Sequence, residues 1–293
     1  MAKRLYSFLL CAAVTSVAAC SEAPDTTLSI RNAADHIDVA DDTGLMLRYQ
    51  TSPPDSAEPW RTNYLHPVMA PSGAPVTENA PADHIHHRGI FWSWRGLFIS
   101  GKGVGDAWVG DHITYIPVSR STNTLPDGGV ELRTTTVWRT DATPTPTDFL
   151  HEDTEVHVWP TKDGRSRLHV RVALTALVDG VAIAGSDNEK GYGGMSFRFG
   201  RADRMDITSG RKSLQATPAP VITGDEVEFR FRAPPPGWPS AIAVACKVDG
   251  APWHSWILRQ ELSMQNCAYP GRIPATVSTQ RPLILEAAIT ITQ

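Results

Sequence analysis

The chain has 293 residues, with 27 Lys+Arg against 31 Asp+Glu and a formal net charge of −4. Hydrophobic residues make up 41% and charged residues 20%, an ordinary globular composition that excludes wholesale disorder. The lack of a basic excess excludes an electrostatic nucleic-acid footprint. Beyond the N-terminus no apolar run reaches the roughly 18–20 residues a membrane span needs, which excludes a multi-span membrane enzyme.

Residues 1–19 read as a secretory leader. Lys3 and Arg4 form a positive start, and Leu5 to Val14 is mostly apolar. Val17-Ala18-Ala19-Cys20 has the order of a bacterial lipobox, so cleavage would leave Cys20 as a lipidated N-terminus, with residues 20–26 as a tether. Ser21 after the cysteine points to the periplasmic side of the outer membrane. The expected localisation is therefore the cell envelope. Cys11 leaves with the leader and Cys20 goes to lipid, so Cys246 and Cys267 remain. Either they form a disulfide closing a loop of about 20 residues, which stabilises by roughly 3 kcal/mol, or they stay as two buried thiols.

Residues 27–293 read as strands of a single β-sandwich domain. Period-2 alternation recurs while sustained 3.6-residue periodicity does not. Val130 to Trp138 and Glu155 to Trp159 alternate, and Leu168, Val170, Val172 and Leu174 share one face opposite His169 and Arg171. Met195, Phe197 and Phe199 alternate with Ser196 and Arg198, and Val227, Phe229 and Phe231 with Glu228, Arg230 and Arg232. Leu283, Leu285, Ala287, Ile289 and Ile291 close the series. Asp163-Gly164, Asp179-Gly180 and Asp249-Gly250 supply turns between these runs. The fold class is all-β, a large antiparallel sandwich.

Asp83-His84-Ile85-His86-His87-Arg88-Gly89 carries the most chemistry, with three of the 10 histidines inside four residues. In an extended conformation His84 and His86 share a face and His87 takes the other. Imidazole serves near neutral pH as acid, base or metal ligand, and Arg88 can hold a carboxylate or polarise an oxygen. One reading is acid/base or binding chemistry on a sugar. Another is a single divalent metal on His84, His86 and Glu155. Trp92 and Trp94 follow the cluster, and Glu155, His157 and Trp159 share one strand face. Gly101 to Trp108 lacks Walker spacing, so nucleotide binding is not expected. It reads as a tight loop that places Lys102 and Asp106 near the histidines. The glycines around Tyr192 allow close backbone approach to a ligand, and Arg198 could reach the same pocket.

Tyr64-Leu65-His66-Pro67, Pro75-Val76-Thr77, the Asp83–Gly89 motif, Gly105-Asp106-Ala107-Trp108 and Gly191-Tyr192-Gly193-Gly194-Met195-Ser196-Phe197-Arg198 together resemble one family. It is the soluble bacterial family labelled "methane oxygenase PmoA", also filed as a domain of unknown function. The resemblance covers most of residues 60–200. The label names a multi-span membrane subunit, and this chain has no span after its leader, so methane oxidation is not among the expectations. The resemblance implies a galactose-mutarotase-like supersandwich with histidines and a carboxylate on a concave face. That would make His84, His86, His87 and Arg88 acid or polarising groups and Glu155 the base. Tyr64, His66, Trp92, Trp94, Lys102, Asp106, Trp108, Tyr192 and Arg198 would bind substrate.

Three functions follow as expectations. The first is a carbohydrate-processing envelope lipoprotein that epimerises, eliminates or hydrolyses. The second is a metal-dependent enzyme, an oxygenase among them, using the His-x-His-Glu set. The third is a glycan-binding lipoprotein without catalysis.

Overall fold

The computed structural model describes residues 27–54, 58–200, 205–260 and 264–293. The leader, Cys20 and its tether lie outside the described residues. Every described element is a strand, and no described helix is long and apolar enough to cross a membrane.

Alternation sorts side chains onto two faces, and pairing then fixes which faces meet. In Arg165–Ala176, Leu168, Val170 and Val172 point inward, opposite Ile289, Ala287 and Leu285 of Leu283–Thr292. The Asp163-Gly164 and Asp249-Gly250 turns take positive φ at all four residues (51°, 67°, 49° and 80°), as tight hairpins matched to strand twist require.

Two large antiparallel sheets result. One holds, in spatial order, Ser29–Asn32, His36–Asp41, Gly44–Gln50, Tyr64–Val68, Ile90–Ser93, Gly194–Arg198, Met264–Ala268, Ser255–Ile257 and Val221–Ile222. The other is built around its long strands Leu283–Thr292, Arg165–Ala176, Thr147–Lys162, Val130–Thr140 and Ile113–Thr124. A small four-stranded sheet of Ala275–Thr276, Val181–Ala184, Gly96–Ile99 and Lys102–Gly105 stands beside them. One apolar core joins the large sheets, running from Leu28 to Ile291 in the sequence. Its fully buried tryptophans each remove about 150–250 Å² from water, an upper bound of roughly 4–6 kcal/mol apiece before entropy is charged.

A polar pin crosses this core. Glu152, fully buried, accepts Trp92 Nε1–H at 2.9 Å from the first sheet and Trp138 Nε1–H at 2.8 Å from its own. Thr154 Oγ1 donates at 2.7 Å and Asn63 Nδ2 at 3.3 Å. Burial pushes the Glu152 carboxyl above its ordinary range, and the donors oppose that. Cys246 and Cys267 also meet across the sandwich. They are free thiols, and burial followed by the Cys246 neighbour pushes Cys267 well up.

The first sheet departs from simple alternation at its centre. Ile90–Ser93, Gly194–Arg198 and Met264–Ala268 are buried on both faces. Ile90, Trp92, Met195 and Phe197 face the core, while Phe91, Tyr64, Met264 and Trp108 form a separate apolar layer on the far side. Loops cover that far side, and they carry the Asp83–Gly89 motif.

Candidate functional site

The Asp83–Gly89 motif is not an extended segment. Asn79 and Arg88 form an isolated bridge, His84 N–H donates to Pro81 O at 2.9 Å, and His87 N–H donates to His84 O at 3.0 Å. These successive turns overturn the two-face expectation and gather all three imidazoles. The ring centres of His84 and His87 are 4.7 Å apart at an interplanar angle of 5°. His86 lies 5.7 Å from His84 and 4.7 Å from His87, edge-on to both. The loop is tied to the sheet by Glu78 N–H to Arg198 O (3.0 Å) and Arg198 N–H to Gly89 O (2.7 Å). Gly89 takes φ 61°, and a Cβ there would collide with the Leu65 carbonyl oxygen, so only glycine fits.

Arg198 is the buried prop of the motif. Its Nη2 donates to both Asp83 oxygens at 3.0 and 3.1 Å, and its Nε to Glu78 at 3.0 Å. Although burial opposes it, hydrogen bonds from His84 and Arg198 hold Asp83 down at about 2. An ionised carboxylate only accepts, so His84 Nδ1–H donates to Asp83 Oδ2 at 3.1 Å. In neutral His84 that leaves Nε2 as a lone-pair acceptor. Burial first, then His84 and nearby arginines, pushes His86 down to about 4. Burial, then His86, His84 and Arg198, pushes His87 to about 2. Both are neutral at pH 7.

The three histidines open onto a cavity of about 270 Å³, near the lower end for small-ligand sites. Trp108 and Tyr192, with ring centres 4.8 Å apart, form an aromatic wall. Lys190 and Arg259 supply charge, and Ile257 and Met264 apolar surface. None of the described lining residues is a carboxylate. Asp106 stands behind the wall. It accepts Trp108 N–H at 2.8 Å and Arg95 Nε–H at 2.6 Å, and Arg95 Nη1 donates onward to the Tyr192 phenolic Oη at 2.8 Å. Burial raises the Asp106 carboxyl despite Arg95.

Several expected members lie elsewhere. Glu155 does not join the histidines. Val156 and Glu152 on its strand face the core, so Glu155 faces outward from the second sheet, where Arg133 (3.2 Å) and Arg171 (3.5 Å) hold it. Two sheets separate it from the cavity, and the His84-His86-Glu155 metal set is therefore not assembled. Glu155 instead lies with Glu131 and His157, their ligand atoms within 4.8 Å of one another. Glu131 there is engaged by Arg133 at 2.6 and 2.9 Å and by His157 at 2.8 Å, a charge-balanced ladder. Trp92 and Trp94 are not stacking surfaces: both are buried, with their N–H groups on Glu152 and, at 2.8 Å, on Tyr269 O. Lys102 is exposed on the small sheet and does not line the cavity.

Tyr64 sits in the apolar layer beneath the loops. His66 pairs with Thr77 Oγ1 at 3.0 Å, and burial, then Arg48, pushes it down to about 4. Arg88 is fully buried beneath His86, between Phe91 (4.8 Å) and Trp60 (5.2 Å). Sequence reasoning missed Lys190, Arg259, Met264 and the Arg95 relay. No local spacing signals them, because they come from distant segments.

The family described as "Family of unknown function (DUF6807)" matches residues 36–288, most of the chain and the whole of this site. No curated protein matches it.

Proposed function

The chain belongs to that family of unknown function, and we propose that its histidine cavity binds a carbohydrate and moves a proton on it. One observation carries the reading: His84, its Nδ1 paired with Asp83, lines a cavity walled by Trp108 and Tyr192. A carboxylate that fixes the tautomer of an imidazole makes it a directed base, and aromatic rings beside hydrogen-bonding groups suit the apolar face of a sugar. His86, kept neutral, is the second proton carrier. The described lining lacks the carboxylate pair that glycoside hydrolysis ordinarily uses, which favours epimerisation or elimination over hydrolysis.

The finer parts of the expectation belong to the same proposal: kinship with the PmoA-labelled family, a mutarotase-like sandwich, and an envelope lipoprotein anchored through Cys20. Intact mass of the mature N-terminus checks the anchor. For the activity, the purified protein is incubated in D₂O with a panel of mono- and oligosaccharides and followed by NMR. Exchange or turnover should occur with at least one sugar and be lost in His84→Ala. Glu155→Gln should leave it unchanged. Turnover untouched by His84→Ala refutes the reading.

The metal reading keeps a narrower basis, three clustered imidazoles of which two are held neutral. Elemental analysis of tag-free protein decides it. About one transition metal per chain, lost in His86→Ala, would replace acid/base chemistry as the leading function.

A further inference from the structure

Among the described residues, the cavity lining carries cations and no carboxylate. The carboxylates bonded around the histidine loop and the aromatic wall are already committed. Asp83 and Glu78 are held by Arg198, Asp106 by Arg95, and Glu58 by Arg61 at 2.8 Å. The cations that remain lack such partners among the described residues. Lys190 lines the cavity with no carboxylate on its ammonium. Arg259 lines it too, and among the described residues its guanidinium meets backbone carbonyls, Thr217 O at 2.6 Å, Leu258 O at 2.7 Å and Pro218 O at 3.4 Å. Behind the histidines Arg88 is fully buried without a carboxylate, and its Nε has no acceptor. A buried guanidinium without a counter-charge is costly and raises the positive potential in front of it.

A second, independent observation points to a missing acceptor. Trp108 is 1% exposed and lines the cavity, yet its indole N–H has no hydrogen-bond partner. Buried indole N–H groups ordinarily find one.

We propose that the ligand of this cavity is an acidic sugar of the uronate class, its carboxylate held by Lys190 and Arg259. The proposal rests on the carbohydrate reading above and adds the charge. An uncharged sugar would leave the two lining cations, Lys190 and Arg259, without a counter-charge from the ligand. A uronate would neutralise them and offer its ring to Trp108 and Tyr192.

The test is calorimetric titration of the full-length protein with glucuronate, galacturonate, glucose, galactose and inorganic phosphate, at low and at physiological salt. At least one uronate should bind about tenfold or more tighter than its neutral parent sugar, the size of one charge-assisted contact. Lys190→Gln should remove about that factor. Arg259→Lys, which keeps the charge but loses the fork, should lose less. Neutral and acidic sugars binding equally, or Lys190→Gln without effect on uronate affinity, overturns the acidic-sugar inference and leaves the carbohydrate reading standing. Phosphate binding as tightly as any uronate, with no sugar preference, overturns both. So does a failure of every sugar to bind.

Discussion

Replacing Arg198 by lysine tests the support of the histidine motif directly. Arg198 is 0% exposed, and its charge-assisted hydrogen bonds include three to carboxylates of the motif, two to Asp83 and one to Glu78, at 3.0–3.1 Å. A lysine ammonium keeps the charge but cannot span both carboxylates, so two of the three bonds are lost. Such bonds contribute about 1.5–3 kcal/mol each. Asp83 and Glu78 keep 21% and 30% of their side chains in water, which places the loss at the low end, about 3 kcal/mol in all. For a domain of this size that lowers the melting temperature by roughly 6–10 °C. Thermal unfolding followed by circular dichroism measures it. A second readout separates positioning from plain destabilisation. Long-range ¹H–¹⁵N spectra of the folded protein report the His84 tautomer. With Asp83 released from Arg198, the Nδ1–H form should lose its dominance. A melting point within about 2 °C of the parent, or an unchanged tautomer, would show that Arg198 does not organise the motif.

Two further outcomes follow from the same geometry. Gly89→Ala puts a Cβ against the Leu65 carbonyl oxygen at positive φ, so it should destabilise by about 3 kcal/mol or prevent folding, read from denaturant midpoints; a midpoint like the parent's would contradict the close approach. His86 and His87 have folded-state pKa values pushed down to about 4 and about 2, below the ordinary value near 6.5. Between pH 6.5 and 4 the unfolded chain therefore binds more protons. Stability contributed by these neutral rings is full above about 6.5 and falls as pH drops through the folded values. Urea midpoints at stepped pH should decline across that window, and the decline should shrink in His87→Phe. An undiminished slope in that variant would rule the rings out as its source.

Much of the architecture was legible from residue alternation. The alternation from Val227 to Arg232 falls on the strand Val227–Phe231, and Leu168, Val170 and Val172 turn inward as their spacing requires. The reason is local: successive strand side chains point to opposite faces, so an alternating apolar set announces its buried side. The histidine motif was legible for a similar reason, because three of its members are nearly adjacent in sequence.

Alternation cannot say what lies opposite a face. Glu155 and His157 share a strand face, as read, but that face looks away from the sandwich, and only sheet order shows it. Trp92 and Trp94 follow the histidines in sequence, yet strand pairing turns the Trp92 indole into the interior, and Trp94, just past the strand end, is buried there too. Ser196 and Arg198 share the polar face of their strand, but loops from residues 78–89 cover that face, so Arg198 props the loop and does not line the cavity. Lys190, Tyr192, Arg259 and Met264 reach the histidines from segments more than 100 residues away in sequence. The sequence by itself determined the strands, their inward faces and the cluster of imidazoles, because those depend on neighbours along the chain. Only the tertiary structure decided which carboxylate serves which histidine and which cations face the cavity, because those depend on how distant strands are ordered in a sheet.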